Sequence, residues 1–300
     1  DVGITGLALL AFLGDGNTTE AGDHRELVAH ALRWLLAHQD AQTGAFGKAQ
    51  AYDHALAALA LCEAAQFTDA PAVREPARRA LELIAAAQNP GAGWRYEFRP
   101  DGTSDTSITS WMVQALAAGR AAGLPVDERA FAGARSWLDA MTDPETGRVG
   151  YTKPGSMSAR IEGQNDQFPV ALGEALTAAA LYARFLIGQD PDEDEVMVRH
   201  AGLLLQRLPE WDEARLGVDL YYWLHGTEAM AQMGGSYWRA WRAALWRELL
   251  LAQRPASEGT CLDGSWDPVG PWDHFGGRIY STALAAMCLE GEFHHPRLAK

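Results

Sequence analysis

Three aspartates, Asp53, Asp105 and Asp219, lie where strongly apolar segments begin. A carboxyl group in such a place can act as an acid or a base, and His54 can serve as an acid–base group held by the neighbouring carboxylate. Aspartate is also a common N-cap, where it stabilises a helix by about 1 kcal/mol. We expect Asp53 and Asp105 to be N-caps and His54 to be bonded near a helix end. Both interpretations stay open for Asp219.

The chain has one dense aromatic cluster, just after the third aspartate. Its members are Tyr221, Tyr222, Trp223 and His225. Trp111 and Tyr280, in two other apolar segments, extend this candidate ligand-binding set. Aromatic faces attract cations, including the carbocations of terpene chemistry. Large side chains that fill a protein interior would give the same pattern, so ordinary packing is the alternative interpretation.

Arg278 follows Gly276 and Gly277 at the start of another apolar segment. A guanidinium group beside the amino-terminal end of a helix can hold a diphosphate or a carboxylate through two parallel hydrogen bonds. The alternative is a salt bridge to one of the aspartates named above. The residues alone favour neither interpretation.

Composition excludes several classes of partner. The formal net charge is −14 and the basic residues form no cluster, so nucleic acid and anionic membrane surfaces are not expected partners. No apolar run approaches the roughly 20 residues of a membrane span. Cys62, Cys261 and Cys288 show no metal-binding spacing, and we expect neither a metal nor another cofactor.

Two kinds of helix alternate along the sequence, and strand-like alternation is absent. The first kind is apolar on nearly all sides; its members are Ile4–Leu13, Ala55–Ala65, Ile108–Ala118, Ala175–Ile187, Leu220–Met233 and Thr282–Leu289. The second kind has one charged face; its members are His24–His38, Val73–Ala87, Ala130–Met141, Asp194–Leu208 and Trp238–Ala252. A helix that is apolar all round must be covered all round, whereas a striped helix lies at the surface.

A turn phrase recurs at the ends of the striped helices. Gln39 and Gly44 in the first copy reappear as Gln88 and Gly93, about 50 positions later. A third copy, Trp137–Tyr151, lacks the glutamine, and a fourth, Leu250–Trp266, contains it. Such a period indicates one supersecondary unit used repeatedly. Trp94, directly after the second turn, is expected to seal a helix end.

These observations predict an all-α fold, an α/α toroid with an inner ring of apolar helices and an outer ring of striped ones. We expect a single domain over residues 1–300, and a piece of a longer protein because Asp1 is followed directly by an apolar segment. An open solenoid is the competing architecture. In a toroid all inner helices run in the same direction, so their amino-terminal ends gather at one rim, where chemistry is expected. His294 and His295 are expected in a solvated tail.

The repeated Gln and Gly-x-Trp or Gly-x-Phe turns on a double helical ring resemble the squalene-cyclase and prenyltransferase repeat superfamily. The stretch Gly264–Glu290 is similar to the closing repeat of bacterial members. The resemblance covers almost the whole chain. It implies a cavity for an isoprenoid, used either for terpene cyclisation or for transfer of a prenyl diphosphate.

Both catalytic constellations of that superfamily are incomplete here. Cyclases that start by protonation carry Asp-x-Asp-Asp-Thr, and the resemblance aligns Asp105 and Thr106 with its end but Ser104 with the proton donor. A serine hydroxyl is too weak an acid to protonate an alkene.

The zinc-dependent members carry an Asp-x-Cys and a later histidine. Asp219 matches the aspartate, but Tyr221 and Ser281 occupy the places of the thiolate and the imidazole. A zinc site needs at least three nitrogen, sulfur or carboxylate ligands. We therefore expect no zinc and no thiol prenylation.

Three hypotheses about function follow. The first is a toroid whose aromatic cavity binds an isoprenoid or another lipid, with or without catalysis. The second is a carbohydrate-active enzyme, either a glycosidase or a polysaccharide lyase, which would use two carboxylates or a Tyr/His pair with an arginine. The third is a non-catalytic scaffold that binds a protein partner.

Overall fold

The computed structural model describes residues 1–47, 50–256 and 259–291; His294 and His295 lie outside these ranges. The α-helices of the described residues are α1 (Val2–Gly14), α2 (Arg25–Ala37), α3 (Ala51–Ala65), α4 (Pro71–Ala87), α5 (Thr106–Ala121), α6 (Glu128–Met141), α7 (Ala175–Leu186), α8 (Glu195–Leu205), α9 (Leu220–Met233), α10 (Gly235–Ala252) and α11 (Gly277–Glu290). Each matches one expected helix. In these ranges, extended pairing is limited to three isolated bridges at the repeat turns.

The chain divides into two compact units, residues 1–141 and 142–300. In the first unit, α1 and α5 both pack against α3, and α2, α4 and α6 cover them. The Tyr52 hydroxyl in the first turn of α3 donates to Ser107 Oγ in the first turn of α5 at 3.0 Å. The amino-terminal ends of these two packed helices are therefore adjacent, which indicates that α3 and α5 run in the same direction. Helix α1 approaches α3 closely at Gly6, where a Cβ atom would lie 2.9 Å from the Leu56 carbonyl oxygen.

The second unit repeats this layering. Helix α9 lies between α7 and α11, and α8 and α10 pack on their outer side. Burial along the whole length of an inner helix fits this arrangement: from Ala175 to Leu186 every residue of α7 is buried, Thr177 and Arg184 included. The loop from residue 142 to α7 contains one short 3₁₀ turn, Val170–Leu172. Another 3₁₀ turn, Asp273–Phe275, precedes α11.

The repeat turn is built around the side-chain amide of its glutamine. Gln88 Nε2 donates to the Ala92 carbonyl within the turn at 2.9 Å and to the Ala130 carbonyl in α6 at 2.8 Å. Gln39 makes the same pair of bonds to Gly44 and to Pro76 in α4. The turn is thereby joined to the next outer helix. Gly44 has a φ of 76°, which favours glycine.

Trp94 closes the second turn, as its place in the sequence predicts. The residue is fully buried, its Nε1 donates to the Ile84 carbonyl at 2.6 Å, and its backbone N–H donates to Thr109 Oγ1 at 3.1 Å. Trp266 repeats the arrangement in the second unit through Leu249 and Thr282. Among the described residues, no helix combines the length and apolar character that a bilayer crossing requires.

Candidate functional site

The second unit brings two buried aspartates together at the start of α9 and of α11. Asp219 is the N-cap of α9, and its Oδ1 accepts a hydrogen bond from the Tyr222 backbone N–H at 3.1 Å. Asp273 lies in the 3₁₀ turn before α11 and is only 2% exposed. The charge of Asp219 contributes to a raised pKa of Asp273. The two carboxyl groups are therefore near enough to interact.

Arg160 supplies the positive charge of this site. A guanidinium nitrogen of Arg160 lies 3.8 Å from Oδ2 of Asp219, and both side chains are 12% exposed. The guanidinium group also lies over the ring of Trp272, 5.5 Å from its centroid, and its Nε donates to the Phe168 carbonyl. The loop before α7 is thus attached to the starts of both α9 and α11.

The two carboxyl groups have different surroundings. Burial raises the pKa of Asp219, while Arg160 and backbone N–H groups oppose the rise. Burial raises the pKa of Asp273 to about 6, opposed chiefly by the Gly270 N–H, which donates to Oδ2 at 2.7 Å. Oδ1 of Asp273 makes no hydrogen bond of ordinary geometry among the described residues, although the Ser281 hydroxyl lies close enough to the carboxyl group to oppose the rise of its pKa. At neutral pH, Asp219 is the better stabilised anion and Asp273 the better proton carrier.

Two tyrosines border the carboxyl groups. The pKa of the Tyr280 hydroxyl is raised well above its usual value, first by burial and then by the charges of Asp273, Asp219 and Tyr221. Tyr221 lies edge-on to His225, with ring centroids 4.6 Å apart. Burial lowers the pKa of His225 to about 3, so its ring is neutral at physiological pH. Both Tyr221 and Tyr280 are half-buried.

The aromatic cluster of α9 is therefore divided. Tyr221 and His225, one helical turn apart, lie on the side of the carboxyl groups. Tyr222 donates its hydroxyl hydrogen to the Arg207 carbonyl at 2.8 Å and packs edge-on against Trp241, while Trp223 packs edge-on against Trp211. Tyr222 and Trp223 thus serve packing between helix layers, the alternative interpretation of the cluster.

In the first unit, His54 is engaged with the backbone. Its Nδ1 accepts from the Phe46 N–H at 3.1 Å, and Nε2 lies 3.2 Å from the Ala80 carbonyl oxygen, to which it donates in the neutral tautomer. Burial lowers the pKa of His54 to about 4. A neutral ring with both nitrogens bonded to the backbone joins a turn to α4, as expected for a histidine bonded near a helix end.

The other candidate residues of the first unit also make contacts that stabilise the fold. Asp105 is the N-cap of α5 and accepts from the Ile108 N–H at 2.9 Å, which confirms the expected cap. Asp53 is not an N-cap: Gln50 caps α3, and Asp53 accepts from the Gly3 N–H in α1 at 3.0 Å. The expectation for Asp53 was wrong because its bond reaches a neighbouring helix. Trp111 is buried in α5.

Arg278 forms a salt bridge, but its carboxylate is not one of the three aspartates that the sequence suggested. Its guanidinium group pairs with Asp267, and Nη1 donates to Ser265 Oγ at 3.0 Å. Arg254 holds the same carboxylate from the other side, with a contact of 2.6 Å. Arg278 thus lies in a salt bridge that fastens the last repeat turn to α11.

Sequence analysis missed Arg160, Trp272 and Asp273. All three lie in irregular segments, where no hydrophobic period draws attention to a position. One signal was available: Trp272, Asp273 and His274 lie only a few residues before the Gly276–Gly277 pair that was noticed at the start of α11. Within the described ranges, no group of three or more His, Cys, Asp or Glu side chains is arranged to hold a metal ion.

No protein-family model and no curated protein sequence matches the chain. Solved structures do match. One is an inactive variant of alpha-1,6-mannanase GH76A of Salegentibacter sp. HEL1_6, two of its aspartates replaced by alanine, in complex with alpha-1,6-mannotetrose. It has a TM-score of 0.66 at 12% identity, over 97% of this chain and 88% of that one.

Two other matches are sugar-converting enzymes. Cellobiose 2-epimerase from Bacillus thermoamylovorans B4167 has a TM-score of 0.64 at 13% identity, over 97% of this chain and 87% of that chain. D-mannose isomerase has a TM-score of 0.61 at 10% identity, over 97% and 85%. The predicted fold class, an all-α α/α toroid, is confirmed by these likenesses.

The expected isoprenoid or lipid cavity is wrong. The matching structures are carbohydrate-active toroids, one of them bound to an oligosaccharide, and not squalene cyclases or prenyltransferases. The toroid is what the chain has in common with the superfamily it resembles. The site agrees with this correction, since the Tyr280 hydroxyl lies close enough to Asp273 and Asp219 to be affected by their charges, and Asp219 is paired with Arg160. Charged groups of this kind disfavour a hydrocarbon ligand.

Proposed function

We propose that this chain is a carbohydrate-active enzyme that hydrolyses glycosidic bonds with the carboxyl pair Asp273 and Asp219. The observation that carries the proposal is the unequal treatment of two neighbouring buried carboxyl groups. Asp219 has a guanidinium partner 3.8 Å away and a backbone N–H donor, whereas Asp273 has one unpartnered oxygen among the described residues. Glycosidases need such inequality, because one carboxyl group must keep its proton while the other is ionised.

Asp273 is assigned as the general acid. A pKa of about 6 lets a carboxyl group keep its proton near neutrality and still give it up to the glycosidic oxygen of a leaving group. Asp219, ionised beside Arg160, then either activates a water molecule or stabilises the positive charge that develops on the sugar ring. Proton transfer of this kind contributes about 10²–10⁴-fold to a rate.

Two other sugar chemistries are less well supported by the same residues. Lyases and isomerases remove a proton from a sugar carbon, which requires a base with a pKa near the working pH. The pKa of His225 is lowered to about 3 and that of Tyr280 is raised well above its usual value. Neither side chain is matched to that task. Asp273 has a pKa near neutrality, and its pairing with a second carboxyl group, Asp219, is the arrangement that glycosidases use.

Aromatic side chains beside the carboxyl groups support a sugar as the substrate. Phe275, two residues after Asp273, is 58% exposed, and Tyr221 and Tyr280 are half-buried. Flat apolar faces next to a few fixed polar groups are typical of small-molecule sites. They suit sugar rings, which have C–H faces and hydroxyl edges. The matching mannanase, in complex with alpha-1,6-mannotetrose, provides independent support at the level of the fold.

The test measures new reducing ends and binding on a panel of alpha-1,6-mannooligosaccharides, cellobiose and D-mannose. We expect wild-type protein to cleave a panel oligosaccharide and Asp273→Asn and Asp219→Asn each to lose about 10²–10⁴-fold in activity. Asp267→Asn is the matched control, because Asp267 is also paired with arginine but lies in the last repeat turn. It should retain its activity.

Three results would contradict the proposal. The first is full activity in Asp273→Asn. The second is a product that is an epimer or a ketose without new reducing ends. The third is a wild-type protein that neither binds nor cleaves any sugar of the panel, which would favour the scaffold hypothesis.

A further inference from the structure

Three buried polar atoms near the carboxyl pair have no hydrogen-bond partner among the described residues. They are Asn165 Nδ2, Trp272 Nε1 and Asp273 Oδ1. Asn165 is fully buried and Asp273 is 2% exposed. A buried polar atom without a partner is destabilising, and native structures leave few of them. Three in one neighbourhood therefore indicate a function other than stability.

The orientation of each group is determined by its other contacts. Asn165 Oδ1 accepts from the Ile161 backbone N–H, so the amide nitrogen is the atom that points elsewhere. Asp273 Oδ2 accepts from Gly270, which leaves Oδ1. Trp272 is held by the guanidinium group of Arg160 over its ring. None of the three atoms can exchange its place with a satisfied one by a simple flip.

The segments that carry these atoms adjoin one another. His274 Nε2 and Gln164 Oε1 are 2.9 Å apart, which joins the residues after Asp273 to the residue before Asn165. Arg160 contacts Trp272, Asp219 and the Phe168 carbonyl. Two N–H donors and one carboxylate oxygen thus belong to one wall of the site.

We propose that Asn165 Nδ2 and Trp272 Nε1 donate hydrogen bonds to hydroxyl oxygens of the sugar whose glycosidic oxygen receives the proton of Asp273. The inference rests on the proposed function and extends it to substrate recognition. A sugar hydroxyl oxygen accepts such hydrogen bonds, and because Asp273 Oδ2 already accepts from Gly270, Oδ1 is the oxygen that carries the proton of the general acid. A metal cation would be repelled by the two N–H groups, and an anion by the charge of Asp219.

The decisive variant is Trp272→Phe, which keeps an aromatic ring under Arg160 and removes the indole N–H together with part of the ring system. Trp246→Phe is a matched control: Trp246 also has an unpartnered buried Nε1, and Arg242 also lies over its ring, at 5.2 Å. Trp246 is in α10, away from the carboxyl pair in the chain order and on the outer layer of the second unit.

The probe is the best-bound sugar of the panel named above, alpha-1,6-mannooligosaccharides, cellobiose or D-mannose, and its dissociation constant is measured by calorimetry. We expect a roughly three- to tenfold weaker affinity in Trp272→Phe and less than about twofold in Trp246→Phe. The melting temperature of Trp272→Phe should fall no more than that of Trp246→Phe, because both variants lose the same part of the ring and an unpartnered donor. Asn165→Asp keeps the acceptor for Ile161 and should weaken binding as well.

Unchanged affinity in both Trp272→Phe and Asn165→Asp, with sugar bound by wild-type protein, would overturn this inference and leave the proposed function intact. A melting temperature that falls further in Trp272→Phe than in Trp246→Phe, with unchanged affinity, would indicate a fixed water as the partner of the indole, and would also overturn it. If wild-type protein binds no sugar of the panel, the proposed function is refuted and the inference with it.

Discussion

The inner helices of the two units begin with the same types of residue and use them differently. At the start of α3, both ring nitrogens of His54 are bonded to the backbone, and Asp53 accepts from the backbone of α1. At the starts of α9 and α11, Asp219 faces a guanidinium group and Asp273 keeps an oxygen without a described partner.

This difference teaches how a structural polar residue can be told from a candidate site residue. In the first unit, a buried polar side chain replaces a missing backbone partner and so stabilises the repeat. In the second unit, burial raises the pKa of Asp273 and the folded protein is less stable for it at neutral pH. Residues that lower stability without an internal compensation are commonly explained by function.

The repeat turn is what the units share, and its tryptophan should give the largest effect. Trp94→Ala and Trp266→Ala should each lower the free energy of unfolding by about 3–5 kcal/mol, because each removes a buried indole and leaves a carbonyl unpaired. Urea denaturation provides the measurement. A loss below about 1 kcal/mol at either position would contradict a shared sealing role.

The raised pKa of Asp273 makes a prediction about pH. Its value rises from 3.8 to about 6 on folding, so the folded protein binds more protons than the unfolded chain between these values. The contribution of Asp273 to the free energy of unfolding therefore falls by about 3 kcal/mol in all as the pH rises from about 4 to about 6. At higher pH it stays constant.

Urea denaturation of wild-type protein and of Asp273→Asn from about pH 4 to about pH 7 isolates this contribution. The variant should gain stability relative to wild type as the pH increases. Parallel pH profiles for the two proteins would mean that Asp273 is not perturbed.

His54 offers the converse test in the first unit. His54→Leu should cost about 2 kcal/mol, because the Phe46 N–H and the Ala80 carbonyl lose their partner. Sugar-cleaving activity per folded molecule should remain unchanged, as judged by activity corrected for the folded fraction from circular dichroism. Loss of activity in the folded variant would return His54 to the list of catalytic candidates.

The smallest effect is expected at Asp105, the N-cap of α5. Asp105→Asn should change stability by less than about 0.5 kcal/mol, because asparagine caps a helix as well as aspartate does. The same substitution at Asp219, the N-cap of α9, should lower activity by about 10²–10⁴-fold. If Asp105→Asn loses activity to the same extent as Asp219→Asn, the contrast between the units is wrong.

The sequence was sufficient for the helices and for the repeat turn, since both depend on local patterns. Apolar residues all round α7 and the spacing of Gln88 from Gly93 can be recognised without knowing any distant contact. The N-cap positions of Asp105 and Asp219 could be proposed for the same reason. Asp53 was not, because its hydrogen bond goes to Gly3 in another helix.

The rest of the candidate site depends on contacts between irregular segments. Arg160 and Asn165 precede α7 and Trp272 precedes α11, and only the folded chain brings them near Asp219. The interpretation of the aromatic cluster as a lipid cavity failed for a related reason. The spacing places Tyr221 and Tyr222 next to each other in the chain but cannot show that they face different neighbours.

The side-chain amide of the glutamine in the repeat turn is a position where deamidation would damage the fold. Two hydrogens on one nitrogen hold two carbonyl oxygens in place at Gln88. Deamidation to glutamate would exchange that double donor for a charged group that can only accept, facing the same two oxygens. Slow hydrolysis of a single side-chain amide would thus loosen a turn and the outer helix beyond it simultaneously.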